Sequence, residues 1–190
     1  MTKALRISLL ILVATLSMFL SCCTKEEGSH LFDLFPLKVG NEYYYSYSYS
    51  YLKDILGPGN KSIGNIKWTI LTDSLKDNMT EYYFEEKFNG IDTKYPFNDT
   101  TTVNDRIRYF KVIEDPSGLL TFWNITPHWD INLKRYHNHP DTAIHNWGPQ
   151  IGADYYFHAD SGLTKYSYIN LPNLDITNEL YILNSIKIFN

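Results

Sequence analysis

Cysteine is nearly absent from this chain: there are two in 190 residues, Cys22 and Cys23, adjacent to one another near the N-terminus. Everything beyond them must therefore hold together without a disulfide or a cysteine-based metal site. Basic clusters are lacking as well. The 17 Lys and Arg against 21 Asp and Glu give a formal charge of −4, and no stretch concentrates the cations that a phosphate backbone requires, which argues against nucleic acid as a partner. There is no G-x-S-x-G elbow and no HExxH pair, so neither an enzyme nor a cofactor is expected. Helical periodicity of useful length is missing beyond residue 30. The one long uncharged run, Ile7 to Leu20, follows Lys3 and Arg6; at about 14 positions it is short for a membrane-spanning helix and reads as a secretory signal.

Directly after that run, Phe19-Leu20-Ser21-Cys22 resembles a bacterial lipobox, which implies acylation at Cys22, with Cys23 as the alternative. Acyl chains, at roughly 0.8 kcal/mol per buried methylene, are enough to hold a protein on a membrane surface. Residues 1–21 are then a lipoprotein signal peptide, 22–30 the lipidated cysteine and a flexible tether, and 31–190 a single β domain. Thr24-Lys25-Glu26-Glu27 is similar to the export signal of Bacteroidetes lipoproteins. That likeness implies a lipid-anchored protein of the outer membrane, exposed at the cell surface, with the periplasmic face as the alternative.

Aromatic residues are plentiful: 16 Tyr, 10 Phe and 4 Trp, types that favour strands. In EYYYSYSYSY, residues 42–51, a Tyr occupies every second position from Tyr43 to Tyr51, so five Tyr share one face of a strand. The ladder serves either as core or as a binding surface. It spans about 27 Å, long for a small-ligand pocket and suited to the inner face of a sheet, which favours core. Further alternating segments surround Ile66-Trp68-Ile70, Tyr82-Phe84-Phe88 (interrupted by Glu86), residues 101–114, Leu119–Ile125, Ala153–His158, Leu163–Ile169 and Glu179–Phe189. In residues 101–114, Val103, Ile107, Tyr109 and Ile113 alternate with Arg106, Arg108, Phe110 and Val112. Leu31 to Leu37 is an apolar lead-in suited to plugging one end of a core. Residues 126–150, with Pro127, Pro140, Pro149 and four histidines, read as a long loop. The expected fold is all-β: one antiparallel meander of about eight strands, forming a curved sheet, half-barrel or barrel.

The opening Pro36-Leu37-Lys38-Val39-Gly40-Asn41-Glu42-Tyr43-Tyr44-Tyr45 resembles the "PLKxGNxWxY" start of an uncharacterised family of Bacteroidetes-type lipoproteins, with Tyr43 where Trp is common. Tyr155 to Tyr166 is similar to the aromatic strand and Gly-Leu turn with which such proteins often end. The resemblance implies an all-β domain and an envelope location, and supplies no catalytic residues. Asp73-Ser74-Leu75, Asp99-Thr100-Thr101 and Asp141-Thr142-Ala143 are similar to the short O-glycosylation motif of Bacteroidetes.

Candidate sites concentrate between residues 123 and 147. Trp123, Trp129, Tyr136 and Trp147 are candidates for stacking on a ligand, as exposed aromatics do on sugar rings. His137, His139, Asp141 and His145 carry imidazole and carboxylate donors of the kind that bind zinc, without a known ligand spacing. The expected role is non-catalytic binding or a structural part in the envelope, with the membrane reached through the N-terminal lipid and a glycan or envelope protein as partner. Behind it stand a carbohydrate or small apolar-ligand binder using aromatic residues and, last, a metal-dependent hydrolase.

Overall fold

Alternation of inward and outward side chains governs the chain from Glu42 onward. The computed structural model describes residues 33–53, 57–123, 129–133, 139–171 and 176–189. They form ten strands: β1 (Glu42–Leu52), β2 (Gly59–Lys76), β3 (Met79–Tyr95), β4 (Asp99–Glu114), β5 (Leu119–Trp123), β6 (Trp129–Asn132), β7 (Asp141–Trp147), β8 (Ile151–His158), β9 (Gly162–Asn170) and β10 (Ile176–Lys187). All belong to one antiparallel sheet in the order β6-β5-β4-β3-β2-β1-β10-β9-β8-β7. The chain begins mid-sheet at β1, steps outward through neighbouring strands to β6, restarts at the opposite edge with β7 and returns, so that β10 pairs with β1.

The sheet is strongly curled, and a single side chain demonstrates it. β5 and β8 stand seven places apart in the sheet, about 34 Å if it were flat. Yet the Phe35 ring lies 6.1 Å from Phe122 on β5 and 6.4 Å from Phe157 on β8, and also packs on Tyr43 and Phe84. Among the described residues no ladder joins β6 to β7, so the fold is a half-barrel. Phe35 closes one end of it together with Leu34. The lead-in is strapped down where the Asp160 amide donates to the Asp33 carbonyl at 2.8 Å. Gly162 matters here twice: its φ of +77° suits the β8–β9 turn, and any Cβ there would collide with the Phe35 ring.

Two expectations need correction. The stretch 126–150 contains β6 and β7 rather than one long loop. Ile131 and Thr142 point inward and are buried, and Pro140 and Pro149 bound β7 instead of interrupting it, as proline's missing donor demands. This accounts for ten strands where about eight were expected. Secondly, Val103 does not share a face with Ile107 and Tyr109. A bulge opposite Phe88 and Gly90, with Asp105 at a φ of 51°, adds one residue to β4 and reverses the alternation. Val103, Arg106, Arg108, Phe110 and Val112 thereby all turn inward, while Ile107 and Tyr109 are exposed.

Candidate functional site

Strand β1 answers the question posed by its tyrosines. Tyr43, Tyr45 and Tyr47 are buried, and Tyr49 and Tyr51 are only half-buried. The buried three meet aromatic neighbours: Tyr45 lies 4.8 Å from the Trp68 ring and Tyr47 lies 4.8 Å from Tyr181. The last two line a cavity of about 460 Å³ at the end of the half-barrel away from Phe35. The ladder is core at Tyr43 and Tyr45 and cavity wall at Tyr49 and Tyr51, with the buried Tyr47 at the cavity floor between them.

Strand register builds the cavity wall in rows. Tyr49 pairs with Ser62 on β2 and with Glu179 on β10; Ser62 pairs with Asp92 on β3, and Glu179 with Tyr168 on β9. One row toward the mouth, Asn60, Tyr51, Thr177 and Asn170 are arranged in the same way. One row deeper, Tyr47 is followed by Tyr181 and Tyr166. On the β2–β3 side that deeper row holds Gly64 opposite Gly90. The two backbones approach so closely there that a Cβ on Gly64 would collide with Asn89 and Gly90, and the missing side chains leave the inner face open. A recess of about 330 Å³ beside Ile66 and Phe88 shares Tyr47, Arg106 and Arg108 with the main cavity.

Charged groups converge on this end. Arg106 pairs with Asp92 at 2.6 Å, and Asp92 also accepts from Ser62 Oγ at 2.6 Å. Arg108 approaches Glu86 Oε1 through Nε at 2.6 Å and donates from its terminal nitrogen to Glu86 Oε2 at 2.9 Å. The same nitrogen donates to the Tyr181 hydroxyl at 3.0 Å, and Trp68 Nε1 donates to Glu86 Oε2 at 2.8 Å. Glu179 Oε1 accepts from Tyr47 at 3.0 Å and from Tyr181 at 3.3 Å. Arg108 on β4 thus reaches β10 across the interior, a second consequence of the curl.

Burial sets the proton affinities of this cluster. Glu179 is only 5% exposed, and desolvation pushes its carboxyl up to about 7, with nearby Glu86 adding to the rise and Tyr47 and Arg108 opposing it. Burial, and then Glu179, hold the Tyr47 phenol well above its usual range; burial does the same for Tyr181. Burial works against the Arg108 charge, but Tyr181, Glu86 and Glu179 more than restore it and the guanidinium is held above its ordinary range.

The residues singled out from sequence lie elsewhere. Trp147 is 60% exposed on the outer face of β7. Its indole lies against the Gly152 backbone and donates from Nε1 to Asp154 at 2.8 Å. Trp123, at 46% exposure, stands at the end of β5 in the opposite half of the sheet, with the Lys111 ammonium 6.0 Å from its ring centre. Trp129 begins β6, but its side chain lies outside the described residues, as do Tyr136, His137 and both cysteines. His145 pairs with Asp154 at 2.8 Å. Asp141 lies four residues from His145 along β7, about 14 Å by strand geometry, and its carboxylate is 3.8 Å from the His158 imidazole. His139 is exposed. Among the described residues no three His, Cys, Asp or Glu side chains are grouped as metal ligands. Of the three glycosylation-like motifs, Ser74 and Thr100 are exposed, whereas Thr142 is buried.

The residues that build the cavity left a legible mark. Glu86 falls in phase with Phe84 and Phe88, Arg108 with Phe110 and Val112, and Glu179 with Tyr181. A charge on the apolar parity of a strand needs a partner inside the sheet, and here the partners are one another. Compared with protein-family models, curated proteins and solved structures, the chain matches none.

Proposed function

We propose that this is a lipid-anchored protein of the bacterial outer membrane that binds a small polar ligand, without catalysis, in the open end of its half-barrel. The observation that carries the reading is the cavity itself. Its volume, about 460 Å³, falls within the usual range for small-molecule sites, and convergent polar groups on a rigid sheet are what such sites present. Tyr49, Tyr51 and Tyr168 offer aromatic faces, while Asn60, Ser62, Asn170 and Thr177 offer hydrogen bonds. Supporting the anchor are the Ser21-Cys22 junction after an uncharged run and the family-like opening from Pro36 to Tyr45; Lys25-Glu26-Glu27 favours the cell surface over the periplasmic face.

A second reading has its own observation. Trp147 is exposed, flat against Gly152 and fixed by Asp154, a rigid platform of the sort on which a sugar ring stacks.

Ligand screening by NMR tests the cavity reading, using neutral saccharides, organic cations and organic anions. Shifts centred on Tyr49, Tyr168 and Glu179 are the expected result; shifts centred on Trp147 would move the site to the outer face, and none in either place would overturn a binding role. For the anchor, protease shaving of intact cells is expected to remove the wild-type protein. A variant carrying Cys22→Ala and Cys23→Ala is expected to be released from the membrane, and protection of the wild type would place it on the periplasmic face.

A further inference from the structure

Charge pairing at the cavity narrows what it can hold. Of the three carboxylates around the cavity and the recess that adjoins it, two have a guanidinium each: Asp92 has Arg106 and, on the recess side, Glu86 has Arg108, both at 2.6 Å. Glu179 is the third, and the hydrogen bonds it receives come from the neutral phenols of Tyr47 and Tyr181. Arg108 acts on it across the interior but donates to Glu86 and Tyr181. Cavity and recess together therefore hold three carboxylates against two guanidiniums, and the one left over, Glu179, is almost closed to bulk water. A buried carboxylate without its own counter-ion destabilises a fold, and such costs recur at sites built for a ligand.

The flanking residues specify the complement. In the inward row across β1, β10 and β9, Glu179 stands directly between Tyr49 and Tyr168. Aromatic faces on either side of a carboxylate suit a compact cation, which the ring quadrupoles and the formal charge attract together. Asn60, Thr177 and Asn170 are placed one row nearer the mouth to receive a polar body.

We infer that the cavity binds an organic cation, with its ammonium head seated against Glu179 between Tyr49 and Tyr168 and its polar remainder toward the mouth. The inference rests on the cavity being the ligand site. It carries a pH signature, because a cation needs Glu179 ionised while the fold holds that carboxyl up at about 7. The groups facing it are Tyr47 and Tyr49 on β1, Glu86 on β3, Arg108 on β4, Tyr168 on β9 and Tyr181 on β10, with the Asp92–Arg106 pair across the cavity. The phenols of Tyr47, Tyr49, Tyr168 and Tyr181 are held above their usual range by burial and stay protonated near neutrality. Binding is then accompanied by proton release at neutral pH.

The test is calorimetry on the detergent-solubilised full chain with choline, with its uncharged isostere in which a tert-butyl group replaces the trimethylammonium, with butylamine and with a neutral methyl pyranoside. At least one of the two cations is expected to bind, with choline favoured over its isostere by about tenfold or more. Affinity is expected to rise about tenfold between pH 6 and pH 8, following ionisation of one carboxyl centred near 7. Glu179→Gln preserves size and an acceptor for Tyr47; it is expected to abolish both the preference and the pH dependence while circular dichroism stays unchanged. Tyr168→Leu is expected to weaken the cation selectively. Equal binding of choline and its isostere, or binding of the pyranoside in preference to both cations with NMR shifts at Tyr49 and Tyr168, would overturn the cation and leave the cavity reading intact. If no probe binds and screening finds no ligand at these residues, both fall.

Discussion

The two ends of the half-barrel are built from the same strand and behave as opposites. At one end Phe35 packs on Tyr43, Phe84, Phe122 and Phe157, and the Tyr43 hydroxyl donates to the Pro36 carbonyl at 2.6 Å. At the other, Tyr49 and Tyr51 of that strand stand beside Glu179, Asp92, Arg106 and Arg108 around an open volume. The tyrosine repeat does not change between them; its cross-strand neighbours do. What a side chain does in a sheet is set by the row it joins, so a uniform sequence ladder can be core at one end and cavity wall at the other.

Substitutions that separate the ends sharpen the contrast. Phe35→Ala removes the ring that ties the two wings of the sheet together and is expected to cost about 4 kcal/mol, the range for a buried Phe, read as a fall in urea midpoint. Arg108→Met leaves Glu86 and Glu179 buried together without their cation. Breaking a fully buried pair costs more, but Arg108 is about one-third exposed and solvent screening reduces the loss to roughly 2 kcal/mol. Tyr49→Phe removes only a hydroxyl at the half-buried cavity wall and is expected to change stability by less than about 0.5 kcal/mol while leaving the ligand site altered. Equal losses for Phe35→Ala and Tyr49→Phe would break the distinction between the ends.

Much of the architecture could be read from residue order alone. Strong alternation with punctuating Gly, Asn, Asp and Pro identified eight strands, and the Leu34-Phe35 plug followed from an apolar lead-in ahead of a turn. Strands β6 and β7 escaped because their inward positions are few and are set among histidines and prolines, so the period-two signal is weak. The Asp105 bulge escaped because alternation counts residues and a bulge adds them without changing composition. The cavity depends on which strands meet across the interior. Glu86 could be seen breaking an apolar face, but its partner Arg108 is one strand over and Tyr181 arrives from β10, a convergence that only the curl produces. The aromatics and histidines at 123–147 are close in sequence and of ligand-binding type, whereas Trp123 and Trp147 belong to opposite halves of the sheet.

The central claim is that the open end keeps a carboxylate whose ionisation the fold resists, and unfolding free energy as a function of pH tests it most directly. Glu179 rises from the ordinary glutamate value of 4.5 to about 7 in the folded chain. Between those values the unfolded chain has released the proton and the folded one retains it, so the stabilisation present below 4.5 is lost as pH rises through 7. At about 1.4 kcal/mol per pH unit the full loss is about 3 kcal/mol. Carboxylates shifted the other way, Glu42 by its hydrogen bonds from Lys67 and Tyr44 and Asp154 by its bond from His145, act around and below the ordinary acid range; Asp33, which burial raises as it does Glu179, is common to both proteins and drops out of the comparison with Glu179→Gln. The account predicts that wild-type protein loses stability from pH 4.5 to 7.5 and that Glu179→Gln flattens that decline. Superimposable profiles for the two proteins would contradict it.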